Sequence, residues 1–342
     1  MPIDEIVGDS IDRIISIEMR FGAGLPRGVI HRLYDATRQK HGQPLCFMAA
    51  QALQKRVARG RNVLVVTGAG MPPGLPKGET DGPPGAAAIA HALDVGLGGK
   101  PILISEDRNM PPVIAAVEAA GVAVVDEGLF KQRGGVALAI EMPLGPEAGK
   151  KAATEYLDRY DPAAVIFIEK AGPNEKGVFH SINGSVREPK LMANAHFIAE
   201  AARSRGILTI GVGDGGNEIG CGVIAEAARD IQPYGRRCQC PCQGSIITVC
   251  ETDILVMASV SNWGAYGIAA AIAGLTENRE ALHDEATERR VIERCVAAGA
   301  MDGAYARLIP YADGTRLEVQ TSLITLLHEV VGNGLRSYDR GF

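Results

Sequence analysis

Ile207-Leu208-Thr209-Ile210-Gly211-Val212 runs straight into Gly213-Asp214-Gly215-Gly216-Asn217-Glu218-Ile219-Gly220, and that join decides the fold. A short apolar run bounded by glycines reads as a buried strand. The turn after it carries three polar side chains, and residues 220–229 read as the next helix. The same order occurs earlier. The apolar run Asn62–Thr67 precedes Gly78-Glu79-Thr80-Asp81-Gly82-Pro83-Pro84-Gly85, and an alanine-rich helix is expected over residues 85–97. Strand, turn and helix repeated along a chain imply a parallel sheet with crossover helices.

Working outward, residues 101–105, 122–125 and 163–168 read as further strands, with helices near 113–120 and 147–160. Residues 136–141 read as an edge strand. Residues 169–190 form a long polar loop, and loops of that length are usually functional. A helix near 191–203 precedes the first quoted strand. Beyond it, 246–249 and 254–258 read as short strands, and 265–275, 279–298 and 321–331 as helices. Residues 3–60 carry helical periodicity alone. The expected fold class is α/β: a three-layer α/β/α domain spanning 1–342, with a mainly parallel sheet. Helices within residues 1–60 pack on the sheet, and a sub-boundary near 150 is weakly marked.

Composition narrows the function classes. The 342 residues carry a net charge of −5, with 46% hydrophobic and 22% charged residues. That balance fits a globular protein and offers nothing basic for nucleic acid or an anionic membrane surface. No apolar run is long enough to span a bilayer. Asp4, Glu5 and Asp9 stand where a signal peptide would be basic, so a cytoplasmic location is expected. The seven cysteines, an odd count, argue against a disulfide framework. Cys238-Gln239-Cys240-Pro241-Cys242 has one-residue gaps where structural zinc sites favour two. It reads as a loop of reduced thiols; the alternative is a metal held by these three, with Cys250 as a fourth ligand.

Chemistry concentrates in the turns. Glu79 and Asp81, one residue apart in a proline-stiffened loop, suit a hard divalent cation, because paired carboxylates repel without one. Parallel strands present their carboxyl ends on one edge, so Asp214 and Glu218 are expected to join Glu79 and Asp81 as metal ligands. Gly215 and Gly216 let backbone N–H groups approach an anion, and Asn217 and Glu218 are expected in a first helical turn, where the dipole favours one. Lys170 and His180, in the long loop, are candidates for a cation facing an anionic substrate or for acid–base work. Val260-Ser261-Asn262-Trp263-Gly264 also follows a strand, although capping and packing would account for it.

Four segments, Gly78–Gly85, Ile168-Glu169-Lys170-Ala171-Gly172, Gly213–Glu218 and Val260–Gly264, occur in the order of the D-glutamate cyclase C-terminal domain family, which the chain resembles over nearly its whole length. The cysteine cluster lies outside that pattern. The resemblance implies a hydro-lyase that interconverts D-glutamate and 5-oxo-D-proline, with a small anionic substrate. It implies Asp214 and Lys170 as catalytic residues. It also implies substrate contacts from Thr80, His180, Asn183, Gly215, Gly216, Asn217, Ser261, Asn262 and Trp263. A divalent ion, Mg²⁺ or Mn²⁺ with Ca²⁺ as a further candidate, is the expected cofactor; no nucleotide cofactor is expected. A homo-oligomer is compatible. The alternatives are a divalent-metal-dependent phosphohydrolase and a non-catalytic carboxylate-binding domain.

Overall fold

In the computed structural model, residues 3–19, 26–70 and 72–335 are described. In chain order the strands are β1 (Asn62–Thr67), β2 (Lys100–Ser105), β3 (Ala123–Val125), β4 (Val136–Glu141) and β5 (Ala164–Ile168). A two-residue hairpin follows, β6 (Phe179–His180) against β7 (Val186–Arg187), then β8 (Leu208–Gly213) and β9 (Ile254–Met257). All but β6, β7 and a second small hairpin, β10 (Tyr311–Ala312) against β11 (Thr315–Arg316), join one seven-stranded sheet in the order β3-β4-β2-β1-β5-β8-β9. Every pairing in it is parallel.

Strand periodicity builds the layers. Val63 and Val65 of β1 enter the core on one face, while Leu64 and Val66 enter the core on the other. In β5, Ile166 and Ile168 take the first face, and Val165 and Phe167 the second. Side chains alternate across a strand, so a strand covered on both faces reads as one continuous apolar run. The first core takes the N-terminal helices, with Ile11 and Ile15 of helix Ile3–Ile15 and Leu45 and Leu53 of helix Leu45–Arg56. The second takes helices Pro146–Tyr160 and His196–Ser204. Residue 150 thus falls inside a helix packed on the shared sheet. Among the described residues, no helix is long and apolar enough to cross a membrane.

Helix Ser261–Leu275 is enclosed from Ser261 through Ala273. Its small residues permit that. A Cβ at Gly264 would lie 2.6 Å from Val212 Cγ1, and one at Gly267 would lie 2.6 Å from Cys46 Sγ. The sequence predicts this helix only from residue 265. Its first turn is held by tertiary partners, which local pattern does not reveal.

Other expectations need correction. β4 is not an edge strand; it sits between β3 and β2, and the short β3 takes the edge. Residues 246–249 form no strand. The helix expected at 220 begins with a short 3₁₀ turn, Gly222–Ile224, and becomes α-helical only over Ala225–Ile231. Asn217 and Glu218 therefore stand in an extended turn, where Glu218 bridges Ala171, and not at a helix N-terminus. Residues 1–2 and 20–25, part of the expected N-terminal helical segment, lie outside the described residues.

The sheet order fixes where a ligand can sit. The chain lays β2, β3 and β4 on one side of β1, then returns to lay β5, β8 and β9 on the other. Crossovers leaving β1 and β5 diverge, which opens a crevice at their carboxyl ends.

Candidate functional site

The crevice is a cavity of about 180 Å³. Among the described residues five carboxylates line it: Glu79 from the loop after β1, Glu169 at the end of β5, Asp214 and Glu218 after β8, and Asp313 from the C-terminal region. Arg187 is the cation among its described lining residues. The cavity falls below the ~300–1,000 Å³ typical of drug-sized pockets, so it suits a small polar molecule.

The acids form two overlapping groups. Oxygens of Asp81, Asp214 and Asp313 lie within 4.8 Å of one another, as do oxygens of Glu169, Asp214 and Glu218. Asp214 belongs to both. The two acidic turns thus converge as the parallel sheet requires. Burial, then Asp313, pushes the Glu79 carboxyl up to about 8 against the opposing pull of Arg187. Burial, then Asp214 and Glu218, raises Glu169 well above the carboxylate range. Glu169 also has φ of 48°, an unusual left-handed conformation for a non-glycine residue at the end of a strand. Such conformations cost ~1–3 kcal/mol and gather at functional sites.

This donor set fits a hard divalent cation. Carboxylate oxygens are the ligands such ions take, and crowded carboxylates are relieved by one. Asn217 adds an observation of its own: its Nδ2 donates to the His180 carbonyl at 3.2 Å, while its buried Oδ1 has no hydrogen-bond partner.

Several expected substrate contacts have other employment. The N–H groups of Gly215 and Gly216 donate to the Glu218 carboxylate at 3.1 and 2.8 Å, so the anion they cradle is internal. Lys170 is buried and does not line the cavity; its Nζ lies 2.5 Å from Glu106 Oε2 and 2.8 Å from the Gly68 carbonyl. His180 is turned away, its Nε2 3.4 Å from Cys240 Sγ. Trp263 is fully buried and donates to Gln320 at 2.7 Å. Thr80 is enclosed too, donating its N–H to the Met301 carbonyl. Ser261 Oγ donates to Glu169 Oε2 at 2.6 Å, so it acts on a pocket acid. Asn183 and Asn217 do line the cavity.

Asp81 and Asn262 cap each other's helices. Asp81 accepts the N–H groups of Ser261 (2.9 Å) and Asn262 (2.8 Å) at the start of helix Ser261–Leu275. Asn262 Oδ1 accepts those of Gly82 (2.9 Å) and Gly85 (2.7 Å) at the start of helix Pro83–Ala92, and its Nδ2 donates to the Thr80 carbonyl. These side chains satisfy helix N–H groups that have no partner within their own helix. We expect Asn262→Ala to cost about 2 kcal/mol, a lost cap plus a buried carbonyl left unpaired. Urea unfolding measures it, and an unchanged midpoint would contradict the reciprocal capping.

Sequence reasoning missed Glu169, Arg187, Asp302 and Asp313. Glu169 stands beside Lys170 in the Ile168–Gly172 segment, where charge complementarity to an anionic substrate points to the lysine. Asp313 is carried in by a β-bridge between Glu79 and Met301, which aligns the 301–303 segment with the acidic loop. Asp302 braces that segment by accepting the N–H groups of Tyr305 and Gly314, each at 2.8 Å. The one sequence signal was a pair of Asp-Gly turns, Asp302-Gly303 and Asp313-Gly314.

Residues 34–328 match the family described as D-glutamate cyclase-like, C-terminal. The chain is 30% identical over 236 residues to the human protein named D-glutamate cyclase, mitochondrial, a match covering 68% of this chain and 36% of that relative.

Proposed function

This chain belongs to the D-glutamate cyclase-like C-terminal family, and from that premise we propose that its acidic pocket interconverts D-glutamate and 5-oxo-D-proline. The observation that carries the reading is the convergence of Glu79, Glu169, Asp214, Glu218 and Asp313 on one small cavity. Cyclisation joins the amine nitrogen to the γ-carboxyl carbon and releases water; hydration reverses it. From the ionised forms, the ammonium must shed two protons and the departing carboxylate oxygen must take up two to leave as water.

Arg187, the cation of the rim, would face the substrate's α-carboxylate. Glu79 lies outside both three-carboxylate groups yet lines the same cavity, so it would stand beside the ion and exchange a proton with the departing oxygen. Asp81, Asp214 and Asp313, or Glu169, Asp214 and Glu218, would hold a divalent cation. When bound, that ion polarises the γ-carbonyl and neutralises the crowded acids.

The test is incubation of purified protein with 5-oxo-D-proline and with D-glutamate, each with Mg²⁺ or Mn²⁺, followed by chiral chromatography. Turnover of the D-forms supports the reading. Its absence with every divalent ion sinks it. Hydrolysis in a parallel phosphatase panel would move the assignment to a phosphohydrolase, and ligand-induced thermal stabilisation without product would move it to a binding domain.

A further inference from the structure

A second cluster of metal-binding side chains lies behind the pocket. His180 Nε2 and the sulfurs of Cys238, Cys240 and Cys242 all sit within 4.8 Å of one another. Cys238 Sγ is 3.3 Å from Cys240 Sγ and 3.4 Å from Cys242 Sγ. His180 Nε2 is 3.4 Å from Cys240 Sγ and 3.6 Å from Cys242 Sγ. These separations are too long for a disulfide, whose sulfurs stand about 2.05 Å apart. They approach the edges of a zinc tetrahedron: bonds of about 2.3 Å to sulfur and 2.0–2.1 Å to nitrogen put ligand atoms roughly 3.6–3.8 Å apart. His180, Cys238 and Cys240 are buried.

The surroundings favour sulfur as an acceptor. The N–H of Cys242 donates to Cys240 Sγ, and that of Gly244 donates to Cys242 Sγ, each at 3.4 Å. Asn174 Nδ2 also donates to Cys242 Sγ, at 3.7 Å. Donors aimed at ligand atoms are what orients and tunes metal ligands. Gln243, at φ 54°, bends the chain back so that these N–H groups face the sulfurs. The expected fourth cysteine, Cys250, is instead packed in the second apolar core. The fourth ligand comes from a separate segment, so spacing within 238–242 gave no sign of it.

We propose that Cys238, Cys240, Cys242 and His180 bind one structural zinc ion, which fastens the β6–β7 hairpin to the 238–244 loop. Four protein ligands close the site, as in structural zinc centres, and leave no position for substrate. The hairpin carries Ser181, Asn183 and Arg187 into the cavity wall, and the His180 carbonyl receives Asn217 Nδ2. The ion would therefore hold one wall of the acidic pocket from outside it.

The test reads the metal and not turnover, so it stands whether or not the pocket acts on D-glutamate. Tag-free protein from zinc-supplemented culture should carry about one zinc per chain by mass spectrometry, and a chelator should lower its melting temperature. Exchange with Co²⁺ should give thiolate-to-cobalt charge-transfer absorption and the visible bands of a tetrahedral site. Carboxylates cannot produce the former. Asp214→Asn should keep that spectrum and Cys240→Ser should lose it. If Cys240→Ser fails to fold, His180→Cys serves, retaining cobalt with stronger thiolate absorption. Substoichiometric zinc together with cobalt loading that gives no thiolate band would overturn the proposal. So would a thiol reagent that modifies the cluster equally fast with and without chelator.

Discussion

Asp214→Asn is expected to lower turnover by more than about 100-fold, because even partners outside a metal's ligand set cost ~10–100-fold. The expectation comes from its position. Asp214 is the one residue shared by the two carboxylate groups, so its loss leaves each with two members. The same substitution should raise the melting temperature of the metal-free protein. Removing one crowded charge relieves like-charge repulsion, and a gain on the order of 1 kcal/mol would shift the melting temperature by roughly a degree or two. Divalent ions stabilise whatever state binds them, so the Mn²⁺-dependent rise should shrink in the variant. Asp81→Asn makes the contrast. Asp81 caps helix Ser261–Leu275 through two N–H bonds, so its substitution should also destabilise the metal-free protein. Differential scanning fluorimetry of parent and both variants, with and without Mn²⁺, separates these outcomes. If the Mn²⁺-dependent rise is the same in all three, the acids do not share a site.

Much of this arrangement is legible in the sequence for a simple reason. Apolar runs such as 62–67 and 207–212 announce strands, and parallel strands must bring their carboxyl ends to one edge. Glu79, Asp81, Asp214 and Glu218 can therefore be assembled without coordinates. What stays hidden depends on paths between elements. Asp313 reaches the cavity only because the 301–303 segment pairs with Glu79. Glu169 and Lys170 are sequence neighbours with opposite fates: the left-handed backbone at Glu169 leaves the acid in the cavity and the lysine in the layer beside it. Complementarity to an anionic substrate favoured the lysine, since no local pattern encodes that backbone angle. The same complementarity points to His180, although it faces three sulfurs from a segment more distant in sequence.

Lys170→Met is expected to destabilise the protein by about 3–5 kcal/mol, the cost of leaving one member of a buried ion pair alone. Lys170 and Glu106 are each about 1% exposed. Burial alone would raise the Glu106 carboxyl, yet the charge and hydrogen bond of Lys170 hold it below its ordinary value, so Glu106 is ionised. The pair also ties three strand ends together. Lys170 follows β5, Glu106 follows β2, and Lys170 donates to Gly68 after β1, while the Ala193 N–H donates to Glu106 at 3.2 Å. In the parent the depressed carboxyl contributes stability above its unfolded pKa, lost as pH falls through the folded value. In Lys170→Met the sign reverses. Burial raises the unpaired carboxyl, so the variant should become more stable as pH falls toward the carboxylate range. Stability near 3–5 kcal/mol is a large share of the ~5–15 kcal/mol that keeps a domain folded, so the double variant Glu106→Gln/Lys170→Met is the informative companion. Removing both charges should recover most of the loss. If the double variant also recovers turnover, Lys170 is a positioning residue that braces the strand ends. If stability returns and turnover does not, the charged pair is needed for turnover beyond its bracing of the strand ends, and the positioning role is wrong.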